Sequence, residues 1–337
     1  MAPVTTDRHY RQLLATSLAD RSRDIEDLVF NSNPIFAWLR ETNRMKTYFG
    51  PEIRIPLMID KLEGQWFTGY DKLNNEPKEL VNDAVFTPKN IAVGFSLTGT
   101  ELLSNEGRAQ FIDLMDLYLE NAEGSMRDEM EIALHQDGTG SGGRTIIGFG
   151  GALPIVPNAG VYGGIDRAQH PIWQTTTYDI PDGDVPGFTV WDATTARPII
   201  EYIAAMHQVG RKYPRVWICD ILSYQAISAS LVAHQRIVRS TGAIGRLGFD
   251  ALEIATPAGP VEVVCANGIG TAMPSNTIYA VNPEDLELRY HPRRNFVPLF
   301  PGEGAMPINQ DAIAQYLVWN GELILKNPRH SARIITA

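Results

Sequence analysis

The sequence contains little cysteine: Cys219 and Cys265 are the only two among 337 residues. Two cysteines cannot form the disulfide framework of a small secreted domain, and neither lies in the paired spacing that binds zinc. We therefore expect two buried free thiols in a protein that is made in a reducing cytoplasm. With 44% apolar residues, the chain is long enough to bury a full hydrophobic core, which argues against a disordered protein.

The sequence also lacks an excess of positive charge. Lys and Arg number 29 against 39 Asp and Glu, which gives a net charge of −10. A general nucleic-acid binder gains most of its affinity by neutralising phosphates, so this balance argues against that class of protein. It is compatible with a protein that lies next to nucleic acid without adhering to it, because acidic surfaces repel the phosphate backbone.

No apolar run is suited to a membrane helix. The longest uncharged apolar stretch, residues 145–165, is interrupted by six glycines and by Pro154 and Pro157. Residues 1–28 mix four arginines with five acidic residues and have no apolar core after a basic start, unlike a signal peptide. We expect a soluble protein with no membrane partner.

One glycine-rich segment looks like a nucleotide-binding motif. Residues 138–145 (GTGSGGRT) match the G-x-G-x-x-G spacing and nearly match a phosphate loop, with Arg144 in place of lysine. Both motifs need a strand before the turn and a helix after it, whereas here a long predicted helix precedes the glycines. We favour a flexible turn between domains. A homo-oligomeric nucleotide-dependent enzyme that uses this turn is the alternative.

Other catalytic and metal-binding signals are missing. None of the seven histidines lies in an H-E-x-x-H or C-x-x-C context, and no G-x-S-x-G elbow occurs. The acidic residues of the long predicted helix are typical of a solvated face rather than of acid–base pairs. We therefore predict that the protein is not an enzyme, with no catalytic, cofactor-binding or metal-binding residue.

The first half of the chain alternates helical and extended patterns. Helical spacing predicts an amphipathic helix over residues 5–28 and a short helix over 35–40 that starts at Asn33-Pro34. Alternating apolar residues predict strands over 52–60 and 90–97, which we interpret as the two arms of one long hairpin.

The segment between these predicted strands contains Trp66, Phe67 and Tyr70 in polar surroundings. A two-stranded hairpin is marginally stable alone, and three aromatic residues without a core of their own need a partner surface. We interpret them as a tip that contacts another chain. The alternative is an ordinary loop that folds back on its own domain.

A long helix and a mixed second half follow. Residues 107–136 predict a helix about 45 Å long, with one apolar face. Ten glycines over 138–164 mark the start of a second domain. The remaining predicted helices cover 193–209 and 223–238, and the predicted strands cover 215–219, 251–255, 261–265, 277–281, 286–290, 312–319 and 322–325. This order indicates an α+β protein with a compact α/β insert.

The strongest local concentration of positive charge is formed by Arg289, His291, Arg293 and Arg294. Because the chain as a whole is acidic, we favour pairing of this cluster with carboxylates of a neighbouring chain over nucleic-acid binding.

Several segments are similar to one family. They are residues 35–44 (IFAWLRETNR), 53–57 (IRIPL), 84–89 (AVFTPK), 137–140 (DGTG), 147–148 (IG), 161–167 (VYGGIDR) and Trp173. Together with the order of elements, they resemble the major capsid (coat) protein of tailed bacteriophages, which has the Hong-Kong-97-type (Johnson) fold. The resemblance covers nearly the whole chain, and residues 35–57 and 137–173 are its most specific parts.

The resemblance implies a viral structural protein whose copies form hexamers and pentamers of an icosahedral shell around packaged double-stranded DNA. It divides the chain into an N-terminal arm (1–45), an extended loop (46–97), a peripheral domain with the spine helix (98–144 and 276–337) and an axial domain (145–275). It places the protein in the virion, after assembly in the bacterial cytoplasm. An encapsulin-like compartment shell with the same fold is the alternative.

The resemblance also suggests partners and contacts. Portal, separate scaffolding and decoration proteins are expected partners, and DNA would lie on the inner face without sequence-specific binding. Since Met1 lies shortly before the first family-like segment, we expect no internal scaffolding domain. The type member of this fold cross-links its subunits through a lysine of the extended loop and an asparagine of a neighbour. The loop region of this chain contains Lys61, Lys72 and Lys78, but no motif identifies a partner asparagine. We therefore expect that the loop holds neighbouring subunits together without a covalent bond. The candidate contact residues are Trp66, Phe67, Tyr70, Lys72, Arg289, Arg293 and Arg294.

Overall fold

The computed structural model describes residues 33–58, 62, 64–73, 81–98, 108–233, 251–266, 272–299 and 312–337. The helix predicted over residues 5–28, most of the predicted N-terminal arm, and Lys61 and Lys78 lie outside the described residues.

The described elements mix helices with strands, which confirms the predicted α+β class. The helices are α1 (Pro34–Glu41), α2 (Arg108–His135), α3 (Gly140–Gly143), α4 (Phe149–Ala152), α5 (Ala196–Met206) and α6 (Ile221–Ala233). The strands are β1 (Met45–Thr47), β2 (Ile53–Met58), β3 (Val81–Phe86), β4 (Lys89–Thr98), β5 (Val161–Tyr162), β6 (Ile165–Asp166), β7 (Thr176–Asp179), β8 (Val216–Cys219), β9 (Ala251–Thr256), β10 (Gly259–Cys265), β11 (Thr277–Val281), β12 (Leu286–Tyr290), β13 (Val297–Pro298), β14 (Ala312–Leu325) and β15 (Ala332–Ile335).

Two larger sheets organise these strands. A six-stranded sheet has the order β7-β15-β11-β8-β10-β9, and a five-stranded sheet has the order β1-β12-β14-β13, with β4 also paired to β14. Every residue of β8 and β11 is buried, so these strands read as continuous apolar runs rather than as alternating ones. Helices α5 and α6 contact each other, and both contact this sheet.

The structure contains a hairpin that begins with β2, as predicted, but the prediction of its second strand was wrong. Strand β2 pairs antiparallel with β3 from Ile53↔Phe86 to Met58↔Val81, whereas the predicted second arm, residues 90–97, belongs to β4 and pairs with β14 over ten residue pairs. Ile91, Val93 and Phe95 of β4 pack against the hydrophobic core. Their alternation therefore reflects one buried face of the five-stranded sheet.

The tail of the chain also differs from its prediction. The strands predicted over 312–319 and 322–325 form one continuous strand, β14. Strands β11 and β15 pair with β8 and β7 in the six-stranded sheet, although the predicted division assigns them to the peripheral segment 276–337. The division into domains stays a prediction.

The long helix confirms its prediction closely. Helix α2 has 28 residues, which corresponds to about 42 Å. Ala122, Met126, Met130 and Leu134 of its described part are buried. At the start of α1, the Asn33 side chain accepts a hydrogen bond from the Ile35 N–H and donates one to Glu131 of α2, which joins the two helices.

The glycines that follow the predicted flexible turn of residues 138–145 pack closely against the end of α2. A Cβ on Gly148 would lie 2.3 Å from the Leu134 carbonyl oxygen, and one on Gly151 would lie 2.5 Å from that of Asp137. Helix α4 thus lies directly on the backbone at the C-terminal end of α2. Only residues without a Cβ allow this approach.

Candidate functional site

The base of the loop that follows β2 is held firmly in the core. Ile53, Ile55, Ala84 and Phe86 are buried, so one face of the β2–β3 hairpin packs inward at its base. The Val85 N–H donates a hydrogen bond of 2.8 Å to the carbonyl oxygen of Gly163. This bond fixes the hairpin to the segment between β5 and β6.

The base of the β2–β3 hairpin packs on a group of residues around Tyr162, here called the socket. The Tyr162 ring meets the edge of Phe86 with centroids 5.1 Å apart, and the Arg167 guanidinium lies 5.0 Å from its centroid. Its hydroxyl oxygen accepts from the Leu325 N–H, and its carbonyl oxygen accepts from the Trp173 indole N–H, each at 2.9 Å. Burial raises the pKa of Tyr162, so the hydroxyl stays neutral.

This socket explains one family-like segment in physical terms. Gly163 has a φ of +59°, and a Cβ there would lie 2.8 Å from the Phe86 ring. Residues 161–167 and Trp173 therefore form the socket on which the hairpin base packs.

The far end of the same loop projects away from the core. Trp66, Phe67 and Tyr70 are 102%, 65% and 104% exposed, and Lys72 is exposed beside them. A short turn holds these residues, since the Asp71 N–H donates to the Thr68 carbonyl oxygen at 2.8 Å. Because these side chains are exposed, they do not pack back on their own domain, which argues against the alternative of an ordinary loop.

The predicted positive cluster divides into two parts. Arg289 lies on β12 and donates to Glu287 at 3.2 Å, while Lys46 and Lys326 each approach the same carboxylate at 2.6 Å. Burial raises the pKa of Glu287, but hydrogen bonds from Lys326 and Lys46 outweigh it and hold this pKa below its ordinary value. Arg289 therefore already has an acidic partner in its own chain.

The other two arginines of the cluster remain exposed. The Arg294 guanidinium donates to the Asn90 side-chain oxygen at 3.2 Å, and neither Arg293 nor Arg294 has an acidic partner within the described residues. Their contact with a neighbouring chain stays a prediction.

We expect Glu287→Gln to destabilise the fold by about 2 kcal/mol, because it leaves three cations around a buried position without their counter-charge. Urea unfolding of the purified protein measures this change. The matched control is Glu284→Gln, since Glu284 is exposed in the turn that precedes β12 and its replacement should change stability by less than about 0.5 kcal/mol. Equal effects of the two variants would contradict a structural role for the Glu287 cluster.

A second buried carboxylate lies beside the glycine-rich segment. The Glu322 side chain is 0% exposed, and one of its oxygens accepts from the Ile147 N–H at 2.6 Å. Its other oxygen has no hydrogen-bond partner within the described residues. Burial raises the pKa of Glu322 to about 8, so the folded protein holds this group protonated at neutral pH.

We expect the stability of the protein to fall by about 2 kcal/mol between pH 6.5 and 8, because unfolding lets Glu322 ionise. Below pH 6.5 this trend is offset, because burial lowers the pKa of His135 to about 4. The contribution of His135 to stability therefore rises with pH up to 6.5 and cancels the decline from Glu322. Glu322→Gln should remove the decline between pH 6.5 and 8, as measured by urea unfolding across this range. A decline of the same size in Glu322→Gln and in the exposed control Glu120→Gln would contradict this assignment.

The glycine-rich turn does not have the arrangement of a nucleotide-binding loop. Helix α2 rather than a strand precedes it, and α3 is a four-residue turn in which Ser141 and Gly142 have positive φ. The described residues contain no group of three or more His, Cys, Asp or Glu side chains placed to hold a metal ion. No helix among the described residues is long and apolar enough to cross a membrane.

Comparison with known proteins gives a match in structure alone. No family model and no curated protein matches the sequence. The capsid asymmetric unit of cyanophage A-1(L) matches with a TM-score of 0.64 and 16% identity, over 90% of this chain and 92% of the other. The capsids of empty and native GTA particles match with TM-scores of 0.52 and 0.53 at 12% and 11% identity, each over 89% of this chain and 90% of the other.

The chain has the Hong-Kong-97-type fold. This confirms the fold that the sequence resemblance implied, and it covers nearly the whole chain. Which residues form the spine helix and the extended loop (46–97) of that fold stays a prediction. Below, the name spine helix is used for α2, and the name extended loop is used for the segment that contains the β2–β3 hairpin. The name tip is used for the exposed aromatic residues Trp66, Phe67 and Tyr70.

Proposed function

We propose that this chain is the major capsid protein of a tailed bacteriophage, which assembles into the hexamers and pentamers of an icosahedral head around double-stranded DNA. The observation that carries the proposal is the fold, which agrees over 90% of the chain with the capsid subunit of a cyanophage. The exposed tip supports it, because Trp66 and Tyr70 are fully exposed and Phe67 is 65% exposed in an isolated subunit.

The net charge of −10 supports the container role. A basic inner wall would bind packaged DNA and hinder its movement, whereas an acidic wall does not hold phosphate. The protein assembles in the bacterial cytoplasm and ends in the virion. Portal, scaffolding and decoration proteins belong to the same proposal as partners.

The encapsulin-like compartment is the alternative within the same fold. It predicts shells that enclose an enzyme cargo, without portal and terminase genes beside the coding sequence. The phage proposal predicts both genes in that neighbourhood. Nucleotide binding by residues 138–145 is disfavoured because the turn lacks a preceding strand.

Negative-stain electron microscopy with size-exclusion chromatography of the purified protein tests the proposal. We expect uniform closed shells, or rings of six and five subunits, that elute far ahead of a 37.3 kDa monomer. A small dimer or tetramer that does not grow at high protein concentration would contradict it.

A further inference from the structure

The two cysteines of the chain lie opposite each other on neighbouring strands. Strands β8 and β10 run parallel, and their last residues, Cys219 and Cys265, form a register pair. Trp217 and Val263 pair two residues earlier, and both belong to the hydrophobic cluster that also contains Cys219. Because side chains two residues apart on a strand share a face, Cys265 faces the same side of the sheet as Cys219.

The spacing of this pair suits a disulfide bond. Neighbouring strands lie about 4.8 Å apart, and residues joined by a disulfide have Cα atoms about 4.4–6.8 Å apart. The Cys219 thiol already points across to β10, since it donates to the Val264 carbonyl oxygen at 3.3 Å. Both cysteines are the last residues of their strands, so a bond between them requires adjustment only at the end of this ladder.

The two thiols differ in their access to solvent. Cys219 is 0% exposed, whereas Cys265 is only half-buried. Burial raises the pKa of the Cys219 thiol well above its ordinary value, and the neighbouring Cys265 and Asp220 raise this pKa further. The thiolate is the form that reacts with oxidants, so Cys219 is inert on its own. Cys265 is therefore the sulfur that an oxidant from solution reaches first.

We propose that Cys219 and Cys265 are a redox-active pair that closes to a disulfide between β8 and β10 when a low-molecular-weight disulfide oxidises it. In the first step, the Cys265 thiol loses its proton and its sulfur attacks the oxidant, whose S–S bond breaks and releases one thiol. In the second step, the Cys219 sulfur attacks the Cys265 sulfur. The other half of the oxidant leaves as a thiol that carries the Cys219 proton. Two protein thiols are oxidised, and one small disulfide is reduced to two thiols.

The bond joins two distant parts of the chain. Residues 219 and 265 are 46 positions apart, and a disulfide that closes a loop of this length restricts the unfolded chain. A reducing cytoplasm keeps such a pair as thiols, so the bond forms after the protein reaches an oxidising medium. For a phage head this medium is met on release from the host, a timing that rests on the proposed function. The chemistry of the pair does not rest on it.

Intact-mass spectrometry of the purified full-length protein tests the proposal. The protein is incubated with oxidised glutathione, quenched with acid and then alkylated in denaturant. We expect the parent protein to lose the mass of two hydrogen atoms together with both alkylation sites, and to regain them on reduction. Cys219→Ser should instead retain one glutathionyl group on Cys265, because no second thiol displaces it. The measurement needs no shells, so its outcome is independent of the capsid proposal.

The matched control keeps two cysteines but moves one of them. Cys265→Ser combined with Ala255→Cys places the second thiol at an exposed position of β9. Ala255 pairs with Pro260, five residues before position 265 and about 17 Å away along the strand. This distance is beyond the reach of a disulfide. The control variant should therefore form no internal bond and should keep the alkylation site on Cys219.

Three results would overturn the proposal. The first is a parent protein that keeps both alkylation sites, and the second is one that carries two glutathionyl groups without an internal bond. The third is an equal loss of both sites in the parent and in the control variant, since bonding would then not depend on the register of β8 and β10.

Thermal unfolding measures the effect of the bond on the fold. We expect oxidation to raise the unfolding midpoint of the parent protein by about 5 °C. The same treatment should leave the midpoint of Cys265→Ser unchanged, because this variant cannot close the pair. An unchanged or lower midpoint in the fully bonded parent would contradict a stabilising disulfide.

Discussion

Replacing both Trp66 and Phe67 by alanine is expected to leave the subunit folded and to prevent stable shell assembly. The two side chains are 102% and 65% exposed in the isolated chain, so their loss removes no contact from the subunit core. At an interface, aromatic anchors contribute about 2 kcal/mol or more each. A combined loss of about 4 kcal/mol weakens each contact about 1,000-fold. Because a closed shell repeats the contact, the effect on assembly is large.

Two measurements check this expectation. Circular dichroism should show an unchanged subunit fold, and calorimetry of assembled particles should show a lower melting temperature or no particles at all. The matched control is Met206→Ala with Val209→Ala, which truncates two exposed apolar side chains away from the loop. If the Trp66→Ala, Phe67→Ala shells melt like the parent shells, the tip is not an anchor.

Gly148→Ala is expected to destabilise the subunit itself by about 3 kcal/mol. The new methyl group would lie 2.3 Å from the Leu134 carbonyl oxygen and 2.5 Å from that of Ala133. Both atoms belong to the backbone of the spine helix, so neither can rotate away. Relief requires moving α4 off the end of the helix, which also displaces the Phe149 ring from its stack on Tyr279. Urea unfolding measures the loss.

The spine helix offers a matched control for this substitution. Gly124 lies within α2, and a Cβ there would meet nothing within 4 Å. Gly124→Ala should therefore stabilise the protein by up to about 1 kcal/mol, because alanine favours helix more than glycine does. The opposite signs of the two glycine substitutions are the expected result. A neutral Gly148→Ala would show that α4 does not need this close contact.

Helices and strands whose apolar residues repeat with a clear period were predictable from the sequence. The spine helix was predicted over 107–136 and found over Arg108–His135, and the strand over 277–281 has the predicted bounds. Strands β3, β7 and β15 were missed. β3 reads VNDAVF and β7 reads TTYD, and neither shows the alternation that marks a half-buried strand. They are strands because neighbouring backbones offer them hydrogen bonds.

The candidate site was predictable to the same limited extent. Trp66, Phe67 and Tyr70 were recognisable as a tip because apolar rings in a polar segment have no local core to join. The pairing of Arg289 with a carboxylate of its own chain was not predictable. The cluster around Glu287 also includes Lys46, which lies 241 positions away in the sequence. Nothing local marks Glu287 as a buried carboxylate that gathers three cations.

The sequence by itself determined the α+β fold class, the spine helix and the apolar strands. It also determined that one aromatic segment has no core of its own. Each of these features follows from the chemistry of residues that are close together along the chain. Only the tertiary structure decided that β3 rather than β4 completes the hairpin, and that β11 and β15 join the six-stranded sheet. Strand pairing depends on which faces become buried together, and those faces come from distant parts of the chain.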